Sequence, residues 1–370
     1  MSLDPDQDVE LLIGAVVLVA FIIGASKHVG KRASATSASS QPTPCPAHRY
    51  GRSMGAAQRR VYGMIHLPSS VAVAPDALGM SVNATVGDLT LGIHIPIAGS
   101  VDLWSMAAPE GEGSDAWTEL AAQNDWGWGK QASHQLYWVE QLGVDMMSPT
   151  GDGSEVHALA VALEDWLGRF RDWVNARTAF RMIEALRPSY APLIHVCRPD
   201  GHGIYGGGAS PMRVSSYPCP GATRIELTDG IRRASENENL PIAHQMLQTG
   251  WDAAIAGDLR RAVIDSGTAA EVSLASSVAA ELSARGLAIS ASERIIQQAN
   301  GVVGLVDLYE SLGGNLYVSR RRVMDQLAKP RNDAAHGGQA PDKTGVENAM
   351  TVATRIVRTA TPLPPPTVEA

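Results

Sequence analysis

Arg331 and His336 are separated by four residues in the stretch 329–338 (KPRNDAAHGG), and Asn332 follows the arginine directly. A guanidinium can hold a phosphate through two parallel hydrogen bonds, and an imidazole can take or release a proton near neutral pH. The two groups together therefore suit anion binding and proton transfer. Residues five apart on an ideal helix point roughly 140° away from each other, at about 100° per residue. Arg331 and His336 converge only if the helix deforms or a second copy faces them. Asn332 and His336, four apart, share a face, so the amide could orient the imidazole. Pro330 predicts a kink, or a restart with proline in the first turn. A restart would aim free backbone N–H groups at a phosphate near Arg331. Arg320, Arg321, Arg322 and Lys329 lie upstream on the same helix and could supply a local positive field for a bound substrate. The plainer alternative is an Arg and a His solvated near a helix end, with the arginines as an ordinary exposed face.

The elements that must position these residues begin after Glu236-Asn237-Glu238, where proline and glycine thin out and apolar residues recur at helical spacing. The pattern predicts helices over 240–256, 258–284, 291–312, 315–335 and 344–358. Gly257-Asp258, Arg285-Gly286, Gly313-Gly314 and Gly337-Gly338 supply stops and caps. Short links between long helices mean antiparallel neighbours, hence an up-and-down bundle.

The motif resembles the R-x4-6-H signature of HEPN (higher eukaryotes and prokaryotes nucleotide-binding) domains. The order Arg-Asn, three residues, His-Gly is the form common among bacterial members. Residues 256–274 (AGDLRRAVIDSGTAAEVSL) resemble that family's long early helix, with Glu271 where many members carry an acid. The resemblance covers about 240–362. It implies a homodimer in which two motifs form one composite site that cleaves RNA without metal. His336 would then serve in general acid–base catalysis at a ribose 2′-hydroxyl, Arg331 would neutralise the scissile phosphate, and Asn332 would position His336. It also implies a toxin or phage-defence context with an unidentified antitoxin or regulator. Many such domains serve instead in dimerisation or nucleotide sensing, and that alternative stays open.

The 370-residue chain carries a net charge of −8, so any RNA contact must come from a local basic patch. Its three cysteines (Cys45, Cys197, Cys219) are too few for a disulfide framework. Cys45 with His48, and Cys197 with His202, lack the pairing of a zinc site, and no metal or organic cofactor is expected. Residues 24–32 (GASKHVGKR) follow an apolar run but have five residues between the glycines, and Arg32 after the lysine. That excludes a phosphate-binding loop.

Residues 11–26 (LLIGAVVLVAFIIGAS) are uncharged and strongly apolar, with acids before and Lys27, Lys31 and Arg32 after. As a helix the run reaches about 24 Å, slightly short of a bilayer core. The basic flank would place the remaining chain in the cytoplasm, tethered to the inner face of the membrane. A buried core helix, or a start downstream at Met64, stays open. Residues 33–46 (ASATSASSQPTPCP) read as a flexible tether.

Between 59 and 237 the chain turns to β-branched residues, glycine and proline. Residues 80–97 alternate, with Leu89, Leu91, Ile93 and Ile95 on one face and Gly87-Asp88 as the turn. Further strands are predicted at 69–73, 193–197 and 223–227. Helices are predicted at 132–142 and at 157–187, the second placing Leu159, Leu163, Trp166, Phe170, Trp173 and Val174 on one stripe. His157, His195 and His202 form no constellation. The expected class is α+β: an apolar segment (1–32), a linker (33–58), an α+β domain (59–237), a HEPN-like bundle (238–362) and a disordered tail (363–370).

Overall fold

The computed structural model describes residues 59–96, 129–133, 136–148, 154–178, 194–197, 203–207, 221–338 and 341–366. The readings made on 11–26, the 24–32 loop, the 33–58 linker, Cys45, His48, His157's side chain, His202 and Cys219 lie outside what is described. Among the described residues no helix is long and apolar enough to cross a membrane. The protein is a mixed α+β chain, mostly helical, with an antiparallel sheet.

The sheet contains β1 (Arg59–Val73), β2 (Ser81–Val86), β3 (Leu89–His94), β4 (Gly129–Ser133), β5 (Leu136–Ser148), β6 (Ile194–Cys197) and β7 (Gly203–Gly207). Their order is β2-β3-β5-β1-β6-β7, with β4 also paired to β5. The alternating pattern over 80–97 becomes the β2–β3 hairpin, and Leu91, Ile93 and Ile95 are buried as expected. The helix expected over 132–142 is instead the end of β4 and the start of β5. β5 sits between β3 and β1 and is buried on both faces, so its run of apolar residues shows no alternation. Periodicity does not separate such a strand from a buried helix.

Helix α1 (Ser154–Arg177) buries Leu159, Leu163, Trp166, Phe170, Trp173 and Val174, the stripe read from the sequence. It ends well before Pro188, and Thr178 Oγ1 bonds back to Val174 O at 2.8 Å. The strand expected over 223–227 is the start of helix α2 (Arg224–Ser235). Thr223 and Glu226 form a capping box that satisfies two backbone donors at its entry. α1 and α2 pack on one face of the sheet and share its core with Val61, Ile65, Val86, Leu91, Ile93 and Val144.

The second core belongs to α3 (Ile242–Ala256), α4 (Leu259–Ala284), α5 (Ile289–Gln298), α6 (Gly301–Ser311), α7 (Arg320–Val323), a π-helical turn (Met324–Ala328), α8 (Lys329–His336) and α9 (Lys343–Ala360). The single helix expected over 291–312 is broken at Asn300 (φ 52°) and Gly301 (φ 80°), residue types that tolerate the left-handed region. The helix expected from 315 starts at Arg320. Asn315 Oδ1 accepts from Tyr317 N at 2.9 Å and holds a turn, and Ser319 caps the entry.

The two cores meet at Trp173, Ala176 and Leu240. Arg233 lies over the Trp173 ring, 4.3 Å from guanidinium carbon to centroid, and Trp173 Nε1 donates to Glu238 O at 2.9 Å. Fully buried Asp229 accepts from Arg177, Arg232 and Arg233. Burial works to raise its carboxyl, but the bonds from Arg233 and Arg177 outweigh that and hold it below the ordinary range. The expected tail also begins differently: Leu363 packs on the Trp173 cluster, and Arg177 donates to Pro364 O.

Candidate functional site

α4 is the helix on which the motif is mounted. Gly267, a buried position of that helix, lets α8 approach closely. A Cβ on Gly267 would sit 2.7 Å from Arg331 Cγ, so the side chain of Arg331 lies directly on the α4 backbone. One turn further along, Glu271 Oε2 accepts from Arg331 Nη2 at 3.0 Å. Arg331 Nη1 is 3.4 Å from Asn332 Oδ1, and its buried Nε has no acceptor among the described residues.

Glu271 also takes a hydrogen bond from the backbone of Val302, in the first turn of α6. The break at Asn300-Gly301 exposes that N–H, so the carboxylate bridges the start of α6 and the guanidinium on α8. Burial raises the Glu271 carboxyl, and neither Arg331 nor Val302 offsets it fully. The acid is therefore easier to neutralise than a solvated one.

His336 lies at the last position of α8 and is exposed, and its imidazole makes no hydrogen bond to a described residue. Arg331 points inward to α4 and His336 outward, as the 140° separation requires. The structure brings Arg331 together with Asn332 and Glu271; it does not bring His336 to either motif partner. Asn332 is turned toward Arg331, and not toward the imidazole.

Helix α8 does not restart at Pro330. The helical path is continuous from Arg320 to His336 through the π turn, where Lys329 N donates to Met324 O, five residues back. A regular turn would drive the proline ring into the carbonyl four residues earlier, and the wider turn relieves that clash. The free N–H groups expected at a restart are thus absent at this point of the chain. Upstream, Arg320 pairs with Asp307 (2.6 Å) and Arg321 with Asp325 (3.4 Å). Arg322 donates to neutral Gln326 (2.6 Å), and Lys329 is exposed. Two of the four cations expected to face RNA are therefore paired with neighbouring carboxylates on the surface.

A second constellation, which the sequence did not reveal, lies on the sheet face turned away from α1 and α2. His94 Nε2 is 2.7 Å from Asp145 Oδ1, and Ser81 Oγ is 2.8 Å from His94 Nδ1. Arg60 donates to Asp145 Oδ2. His94 and Asp145 are 5% and 6% exposed, whereas Ser81 is open to solvent. Burial pushes the Asp145 carboxyl up, but the bonds from His94 and Arg60 prevail and hold it below the ordinary range. Among the described residues no group of three or more His, Cys, Asp and Glu side chains is placed to hold a metal ion.

No protein-family model, curated protein or solved structure matches the chain. The reading of both constellations therefore rests on their chemistry.

Proposed function

We propose that the helices from 242 to 360 form an up-and-down bundle of HEPN type, which cleaves RNA without metal through a site shared by two copies of the chain. The observation that carries the reading is the disposition of α8. Arg331 is clamped to Glu271 while His336, on the opposite side of the same helix, is left to solvent. One chain cannot direct both at one phosphate. A second copy facing it can, with Arg331 from one chain and His336 from the other. His336 would withdraw the 2′-hydroxyl proton as the oxygen attacks phosphorus, Arg331 would offset the developing charge, and the departing 5′-oxygen would be protonated. The product ends are then a 2′,3′-cyclic phosphate and a 5′-hydroxyl. The readily neutralised Glu271 supports a resting clamp that yields Arg331 to an arriving phosphate. Asn332, beside that guanidinium, steadies it and leaves His336 untouched.

The same pairing favours a second reading, in which the bundle is a dimerisation or nucleotide-binding module without cleavage. Arg331, Arg320 and Arg321 are each already engaged by a carboxylate. Full-length protein incubated with labelled single-stranded RNA and a chelator, beside His336→Ala, separates the two. Cleavage lost in the variant supports the nuclease, and a folded dimer that cleaves nothing supports the module. A cytoplasmic nuclease needs restraint, so this proposal extends to a toxin or defence role held in check by the sheet domain or an antitoxin, with 11–26 as a tether to the membrane's inner face.

A further inference from the structure

We propose that Ser81, His94 and Asp145 form a nucleophile–base–acid relay, a second active site that acts on carboxylic esters and is independent of the bundle. Three features of the sheet build it. Ile95 N donates to Met80 O at 2.9 Å, so the facing residues Ser81 and His94 are a non-hydrogen-bonded pair of the β2–β3 ladder. Side chains in such pairs stand closest, which brings Ser81 Oγ onto the ring. On the next strand Asp145 faces Gly92, so His94 reaches it diagonally. Glycine is required there: a Cβ at 92 would lie 2.2 Å from Asp145 Oδ1 and 3.0 Å from His94 Nε2.

The protonation pattern follows from the partners. An ionised carboxylate only accepts, so His94 Nε2–H donates to Asp145; with that nitrogen as the donor, Nδ1 is the one that can accept from the Ser81 hydroxyl. The hydroxyl is thus hydrogen-bonded to a base whose far side is fixed by a buried acid. The ring is used in the opposite sense to the commoner arrangement, in which serine meets Nε2; either nitrogen can carry the proton. The serine at one end is exposed and the histidine and acid behind it are enclosed, as a relay open to substrate at one end requires. In the same non-hydrogen-bonded pair, the Ser81 N–H points away from β3 to the sheet edge. It is a backbone donor adjoining the nucleophile.

In the step, Ser81 Oγ attacks the ester carbonyl as its proton passes to His94 Nδ1. The C–O bond to the alcohol then breaks and that proton leaves with the alcohol. Water, deprotonated by His94, releases the acid and restores the serine. Arg60 donates to the other oxygen of Asp145 and holds the carboxylate in place. Asp145 is a positioning residue, and Ser81 and His94 are the reacting ones.

The full chain treated with an alkyl fluorophosphonate tests this. Oγ–P forms, P–F breaks, and fluoride and the proton leave. One adduct per chain is expected, mapped by mass spectrometry to Ser81. It should form at least 100-fold faster than on any serine of the urea-unfolded chain, and be absent from Ser81→Ala, a change at an exposed site. His94→Gln should slow it by about 10²–10⁴-fold, the range of a general base. Asp145→Asn should lower the maximal rate and leave the half-saturating probe concentration unchanged. No adduct on the folded chain, an adduct elsewhere, a rate equal to that of the unfolded chain, or a rate untouched by a folded His94→Gln would overturn the proposal.

Discussion

The bundle and the sheet present their chemistry in opposite ways. In the bundle the residues of the motif are neighbours in the chain, and the fold directs them apart, Arg331 inward onto Glu271 and His336 outward. In the sheet the residues are 13 and 51 positions apart in sequence, and strand register draws them into one hydrogen-bonded row. Helical spacing therefore made the first proposed site visible and leaves its residues apart within one chain. Register brings the residues of the second proposed site together and left them invisible to any motif. A short motif reports residue identity; only the packed structure reports direction.

The largest effect should come at the joint between the two regions. Asp229→Ala strips the partner from Arg177 and Arg233, which are 10% and 5% exposed. A loss of about 3–5 kcal/mol in urea unfolding is expected, as for other broken buried pairs. The carboxyl is held below its ordinary range, so its contribution is present above that range and disappears as pH falls through the lowered value. Stability of the native chain should therefore drop more steeply between neutral and acidic pH than that of the variant. Parallel slopes would show that Asp229 does not hold Arg177 and Arg233 as described.

The next change sharpens the contrast from the bundle side. Arg331→Ala should reduce RNA cleavage by about 10²–10³-fold, the loss seen when one transition-state donor is removed. It should leave fluorophosphonate labelling of Ser81 intact. Gly92→Ala is its mirror. Displacing Asp145 should cost about 1–3 kcal/mol by overpacking, abolish the Ser81 adduct, and spare RNA cleavage. If either variant removed both activities, the two sites would not be independent. The smallest effect is structural: Thr223→Ala should lower stability by about 1 kcal/mol through loss of the α2 cap, with both activities unchanged.

What was legible follows the same division. The β2–β3 hairpin was readable because alternation and Gly87-Asp88 act locally. So was the apolar stripe of α1, and so were most helix limits in the bundle, where glycines mark the ends. β5 was misread because an interior strand has no polar face to alternate with. α2 was misread because Thr223 and Ile225 look strand-like, although Thr223-x-x-Glu226 carries a capping-box signature. The π turn before Pro330 answers a steric problem that the sequence poses without indicating the solution. The Glu271–Arg331 pair needed the crossing of α4 and α8, which fixes which residues of two distant helices meet.

The central claim is that one RNA-cleaving site takes its arginine and its histidine from different chains. Mixing Arg331→Ala with His336→Ala, each inactive alone, and allowing subunits to exchange tests it directly. Half of the dimers are then mixed, and each holds one intact site of two, so cleavage in the presence of a chelator should return to about a quarter of the native level. Mixed dimers that form, as shown by mass, yet cleave no more RNA than the separate variants would contradict it.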